Sequence, residues 1–194
     1  MYPGGFQDPA LAGIGKNHKM SQMVEKTQQS FKKAAFRDSD KVLEDMIGLT
    51  GRSSMVSLFE KPKYRDTLRA FSPSEKEQWV DAFRKRLHGN RAKGFEEMTR
   101  LLIGYKLAKW SLISILPLYF RPEEEVFVKP TTAKKVLAFL EIDDIVYRPQ
   151  PSWEFYERFQ HHIETMKDNV DSELSPNNAA FTGFLMMTIN QMSE

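Results

Sequence analysis

Cysteine is absent from all 194 residues. Disulfides, thiolate nucleophiles and cysteine-ligated zinc or iron–sulfur centres are excluded together by that one fact. A charge bias is missing too. Lys and Arg number 28 against 26 Asp and Glu, a formal +2, so the overall balance argues for no particular class of partner and any such signal must be local. The opening MYPGGFQDPALAGIGKNHK has no charged start, apolar middle and small-residue cleavage site of a secretory leader. Residues 101–120 are the one candidate membrane span, yet they contain Lys106 and Lys109, and a lysine at mid-bilayer costs about 2.5–3.5 kcal/mol. The expectation is a chain of the bacterial cytoplasm with no membrane partner. A Gly-rich phosphate loop, a nucleophile elbow and a carboxylate pair in catalytic context are all lacking, so catalysis has no residue set behind it and no cofactor is expected.

What is present suits a helical domain. Hydrophobic residues make up 41% of the chain, enough at this length to close one core. Residues 1–18 read as an N-terminal loop or arm, with Tyr2 and Phe6 flanking a Pro-Gly-Gly turn, and residues 19–194 as a single mainly α domain of irregularly packed helices. Apolar residues at three- and four-residue spacing predict one helix over 19–36 and a second over 41–49, with Gly51 as its left-handed exit. Ser53 or Ser54 starts a short helix that Pro62 ends, and Tyr64, Leu68 and Phe71 mark another. Ser72-Pro73-Ser74-Glu75 is a capping box with proline at the first helical position, followed by a helix burying Trp79, Val80, Phe83 and Leu87. The next is predicted over 90–108, with Phe95, Met98, Leu102 and Tyr105 inward.

Residues 109–140 organise the rest. Trp110–Phe120 is apolar on nearly every side, so as a helix it must be surrounded by protein, and Pro117 is expected to stop it. Residues 121–125, with three consecutive glutamates, read as an exposed turn. Val126-Phe127-Val128 and Ile145-Val146-Tyr147 are extended by propensity and allow at most a two-stranded ribbon. Pro130, Ser152 and Ser175-Pro176 open the last three helices.

Four ordered segments stand out: Pro3-Gly4-Gly5-Phe6-Gln7-Asp8-Pro9, Lys109-Trp110 leading to Leu116-Pro117, Phe127-Val128-Lys129-Pro130, and Pro151-Ser152-Trp153 with Tyr156. Taken together they resemble a group of uncharacterised bacterial proteins. The resemblance implies an ordered N-terminal loop and a fixed 127–130 element, and it brings no activity, cofactor or catalytic residue. The run Glu123 to Glu125 and the pair Asn177-Asn178 depart from that pattern.

Two local features carry chemistry. Lys129, Thr131 and Thr132 lie at a helix N-terminus, where unpaired amides and the positive dipole end suit a phosphate or carboxylate; Trp110, Trp153 and Tyr156 are taken as the walls of such a pocket. The plainer alternative is capping by the threonines, with Lys129 paired to Glu123, Glu124 or Glu125. Secondly, Arg84, Lys85, Arg86, Arg91 and Lys93 fall in one stretch without an acid. With Lys61, Lys63, Arg65 and Arg69 they would form a phosphate-tracking face for nucleic acid, or else a solvated helix end. His161 and His162 beside Glu157 and Glu164 lack further ligands, so no metal site is expected. The functional expectation is a non-catalytic binding module that contacts a protein or, through the basic stretch, nucleic acid. The alternative is a domain with a small-molecule or phosphate-ligand pocket at 129–132, a reading that leaves an enzyme open.

Overall fold

The computed structural model describes residues 19–171 and 177–192. The expected loop at 1–18 and the Ser175-Pro176 cap lie outside them. Among the described residues there are nine α-helices and no strand: α1 Met20–Ser30, α2 Ser39–Arg52, α3 Glu60–Arg69, α4 Pro73–His88, α5 Arg91–Gly104, α6 Trp110–Phe120, α7 Pro130–Phe139, α8 Trp153–Asp168 and α9 Asn178–Met192. They form a single all-helical domain built around α6.

Every residue of α6 from Trp110 to Tyr119 is buried, as a helix without a polar face requires. It is wrapped by α1, α2, α4 and α5. Its few polar groups are all paired. Ser111 Oγ donates to Glu60 Oε2 at 2.6 Å, Trp110 Nε1 to the Arg148 carbonyl at 2.7 Å, and Tyr119 Oη lies 2.8 Å from Ser53 Oγ. Pro117 does not end this helix, which runs on to Phe120. A proline near the last turn removes one hydrogen bond, and the enclosure of the whole segment outweighs that loss. The remaining helices pack outward from this shell, α8 against α5, and α9 against α7 and α8.

Helix boundaries depart from the periodicity where a side chain or a tight exit intervenes. The predicted 19–36 helix breaks after Ser30. Phe31, fully buried, turns edge-on to Phe83 at 4.9 Å, and a 3-10 turn, Lys33–Arg37, brings Phe36 to within 6.0 Å of the same ring. Helix α2 runs through Gly51, capped at its start by Asp38, which accepts from the Lys41 amide at 2.9 Å. No helix forms between Ser53 and Phe59. The Ser53 and Ser57 hydroxyls each accept from the amide two residues on, Met55 and Phe59, a local bond that competes with helix formation. Pro62 then falls in the first turn of α3 rather than ending a helix.

Helix α5 stops at Gly104, four residues short of expectation, because Lys106 takes a left-handed φ of 55° and the Leu107 amide reaches back to the Leu102 carbonyl at 2.8 Å. Tyr105 is consequently 38% exposed rather than inward. Glu141, φ 52°, closes α7 the same way, with the Ile142 amide on Leu137. Both are the six-to-one closure that usually carries glycine, so neither stop has its usual residue signal. The capping box at Ser72 is present in both directions.

The ribbon does not form. Val126, Phe127 and Val128 are extended but buried, and side chains take the place of a partner strand. The Val126 amide donates to Tyr156 Oη and the Val128 amide to Ser114 Oγ, each at 3.1 Å.

Candidate functional site

The deepest polar cluster is assembled from four elements. Arg86, in the last turn of α4, is fully buried, and so is Glu125. The turn that holds Glu125 is closed by its own amide on the Arg121 carbonyl at 2.9 Å, which swings the third glutamate of the acidic run inward. The expectation of an exposed 121–125 turn is therefore wrong at Glu125. Both terminal nitrogens of Arg86 donate to the carboxylate, Nη1 to Oε1 at 2.8 Å and Nη2 to Oε2, a two-point fork that matches its geometry. Arg91, the first residue of α5, brings Nη2 to 3.0 Å from Oε1. From α8, Tyr156 donates to Oε2 at 2.6 Å while its oxygen accepts from the Val126 amide. The Arg86 guanidinium lies 5.1 Å from the Tyr156 ring centre and 5.5 Å from that of Trp153. Arg121 contributes from the margin, at 3.8 Å from Oε1 and hydrogen-bonded to the Leu87 carbonyl.

Gly94 makes this approach possible. A Cβ there would sit 2.3 Å from the Arg86 amide nitrogen and 2.6 Å from the Ala82 carbonyl oxygen, so only a glycine lets α5 close onto α4 beside Arg86.

Burial pushes the Glu125 carboxyl up, but the charge and hydrogen bonds of Arg86, then Arg91 and Tyr156, outweigh it and hold it below the ordinary range. Burial, reinforced by the Glu125 charge, keeps the Tyr156 phenol protonated far above its usual titration. A carboxylate held ionised, a guanidinium and a locked phenol offer no proton to exchange near neutral pH. The cluster is a clamp that ties the 121–128 segment to α4, α5 and α8.

This clamp contains residues drawn from both predicted sites. Trp153 and Tyr156, expected as walls of an anion pocket, stack at 5.6 Å over Arg86, expected on a nucleic-acid surface. Arg86 is shut away from any external phosphate, so its assignment to such a surface is corrected. The other cations of that stretch are paired to acids from elsewhere in the chain: Arg84 to Asp81 at 2.6 Å, Lys85 to Asp81 at 2.8 Å and Glu97 at 2.7 Å, Lys93 to Glu97 at 4.0 Å, and Arg91 to Glu124 and Glu125. Asp81 and Glu97 flank the stretch one turn away in sequence, where a helical wheel would have revealed them.

Lys129 and Thr131 are exposed and Thr132 is buried at the start of α7. No side chain caps that helix, so the capping alternative is not what the structure holds. Trp110 is packed against Phe155 at 5.1 Å and Phe95 at 6.2 Å. Among the described residues no hydrogen bond or ring contact joins Trp110, Trp153 or Tyr156 to Lys129, Thr131 or Thr132. A shallow cleft of about 240 Å³ lies instead between α1 and α2, lined by Lys26, Gln29, Glu44, Asp45 and Arg52 among others. His162 hydrogen-bonds Asp144 at 2.9 Å, and no group of three metal-ligating side chains occurs among the described residues.

No family model, curated protein or solved structure matches this chain.

One surface was not anticipated. The N-terminal end of α6 is bracketed by two loops, tied to it by the Ser111–Glu60 and Trp110–Arg148 hydrogen bonds. The loops carry the three most exposed large apolar side chains described: Phe59 at 85%, Leu58 at 77% and Val146 at 71%. The same segments carry Lys61, Lys63 and Arg148, and Lys109 directly precedes α6; none of the four has an ion-pair partner among the described residues. Among the described residues, no helix is long and apolar enough to cross a membrane.

Proposed function

We propose that this protein is a non-catalytic interaction module, and that it engages its partner through the end of the molecule where α6 begins. The observation that supports this reading is the exposure there of Leu58, Phe59 and Val146, on segments whose Lys61, Lys63 and Arg148 have no ion-pair partner among the described residues. Leaving a leucine and a phenylalanine in water forgoes about 1.5–3 kcal/mol each relative to burial, which a partner would recover. Contact with nucleic acid through Arg84, Lys85, Arg91 and Lys93 is the weaker reading, because each would first have to give up an acidic partner.

The test is site-specific photo-crosslinking in an extract of the producing cells, with a benzophenone side chain placed at position 59 or, as control, at the exposed position 157. The expected outcome is a discrete product from position 59 that position 157 does not give, and that vanishes when Leu58→Ser is added. Identical patterns from both positions would refute the reading.

A further inference from the structure

The shape and charge of that end narrow the partner. Leu58 and Phe59 are consecutive on the turn between α2 and α3, and both are more than three-quarters exposed. A protein partner would have to supply a cavity matching these two side chains, whereas the interface of a bilayer accepts exposed apolar side chains without a matching shape. Within residues 58–63 two lysines face one acid, Glu60, and that carboxylate already accepts the Ser111 hydroxyl. Lys109, at the start of α6, is a further exposed cation, while Arg148 shares its loop with Glu141, Asp143 and Asp144, the last hydrogen-bonded to His162. Nucleic acid is less well matched, because phosphates and bases make little use of an exposed leucine and valine.

Resting on the interaction reading above, we infer that this end adsorbs to an anionic phospholipid surface. Leu58 and Phe59 enter the boundary between headgroups and acyl chains, and Lys61, Lys63, Lys109 and Arg148 lie over the headgroup phosphates. This revises the expectation of no membrane partner, which was drawn from span hydropathy. Peripheral adsorption needs no span, only a small buried apolar area together with several cations. Each basic residue near an anionic surface strengthens partitioning about fivefold. The attraction fades as salt shortens its range, the Debye length being about 8 Å at physiological ionic strength.

The experiment is co-sedimentation of the full chain with vesicles of phosphatidylcholine alone and of an equimolar mixture with phosphatidylglycerol, at low and at physiological salt. The wild type is expected to sediment with the mixed vesicles, to do so less as salt rises, and to stay in solution with phosphatidylcholine. Leu58→Ser/Phe59→Ser and Lys61→Glu/Lys63→Glu should each weaken binding about tenfold or more, with an unchanged circular dichroism spectrum as the check that each variant folds; Leu58, Phe59 and Lys63 are exposed and Lys61 is half-buried. Arg84→Glu, at a paired position, should leave binding within about twofold. Failure to bind the mixed vesicles, with the position 59 crosslink to a protein intact, would overturn the lipid inference and leave the interaction reading standing. Failure of both would overturn both. Binding that survives the two double variants would show that another surface is responsible, and would equally overturn the inference.

Discussion

Replacing Glu125 is the most informative perturbation of the fold. In Glu125→Ala the Arg86 guanidinium, fully buried, loses both hydrogen bonds and its main counter-charge, and the Tyr156 hydroxyl keeps only the longer bond to the Val126 carbonyl. Stripping one partner from a buried ion pair costs about 3–5 kcal/mol. In a chain of this length that lowers the melting temperature by roughly 6–20 °C. Arg86→Met should fall at the lower end of the range, because Arg91 and Tyr156 still hold the carboxylate. Removing both charges, in Arg86→Met/Glu125→Leu, should recover most of the loss, since apolar replacements of similar volume are often neutral or stabilising. Urea titration of the four proteins at neutral pH measures this. A Glu125→Ala loss under about 1 kcal/mol, or a double variant as unstable as the sum of the singles, would refute the clamp.

The same pair makes an acid-side prediction. Because the folded Glu125 carboxyl is held below its ordinary 4.5, its contribution is complete above that value and is lost as pH falls through the lower folded one. The stability difference between wild type and the Arg86→Met/Glu125→Leu variant should therefore shift in favour of the variant in acid. Parallel stability curves for the two across that window would contradict the assignment.

Three further outcomes follow from particular contacts. Gly94→Ala should destabilise by about 1–3 kcal/mol or more through overpacking against Arg86, while Gly51→Ala, with open space around it, should stabilise by about 0.5–1 kcal/mol; thermal melts of the pair distinguish a packing glycine from a replaceable one. Ser114→Ala removes the acceptor of the buried Val128 amide and should cost about 1–3 kcal/mol, with faster hydrogen exchange at Val128. Ser72→Ala removes the hydroxyl that accepts from the Glu75 amide, while the residue 72 amide can still donate to the Glu75 carboxylate; it should cost about 0.5–2 kcal/mol, measured by urea unfolding.

Local chemistry made much of this protein legible in one dimension. The capping box at Ser72, the Ser152 cap and the all-apolar make-up of α6 each depend on residues close in sequence. Periodicity correctly turned Trp79, Phe83, Leu87 and Phe95 inward, since a single helix face has one direction. Helix ends were harder to read where Lys106 and Glu141 adopt a left-handed conformation that glycine usually marks, and where serine hydroxyls at 53 and 57 hold a turn open.

Only the tertiary structure decided the rest. Glu125 is one of three adjacent glutamates, and nothing local distinguishes the one that is buried from the two that are not. It is selected by Arg86, 39 residues away, and by Tyr156, 31 away. Within the basic stretch Arg84, Lys85 and Lys93 meet acids one turn away, a pairing legible along the chain, whereas Arg86 and Arg91 meet Glu125 only through the fold. Coulomb attraction and burial act through distance in three dimensions, so sequence determined most of the helices, their apolar faces and the ion pairs one turn apart, and packing determined which distant charges meet.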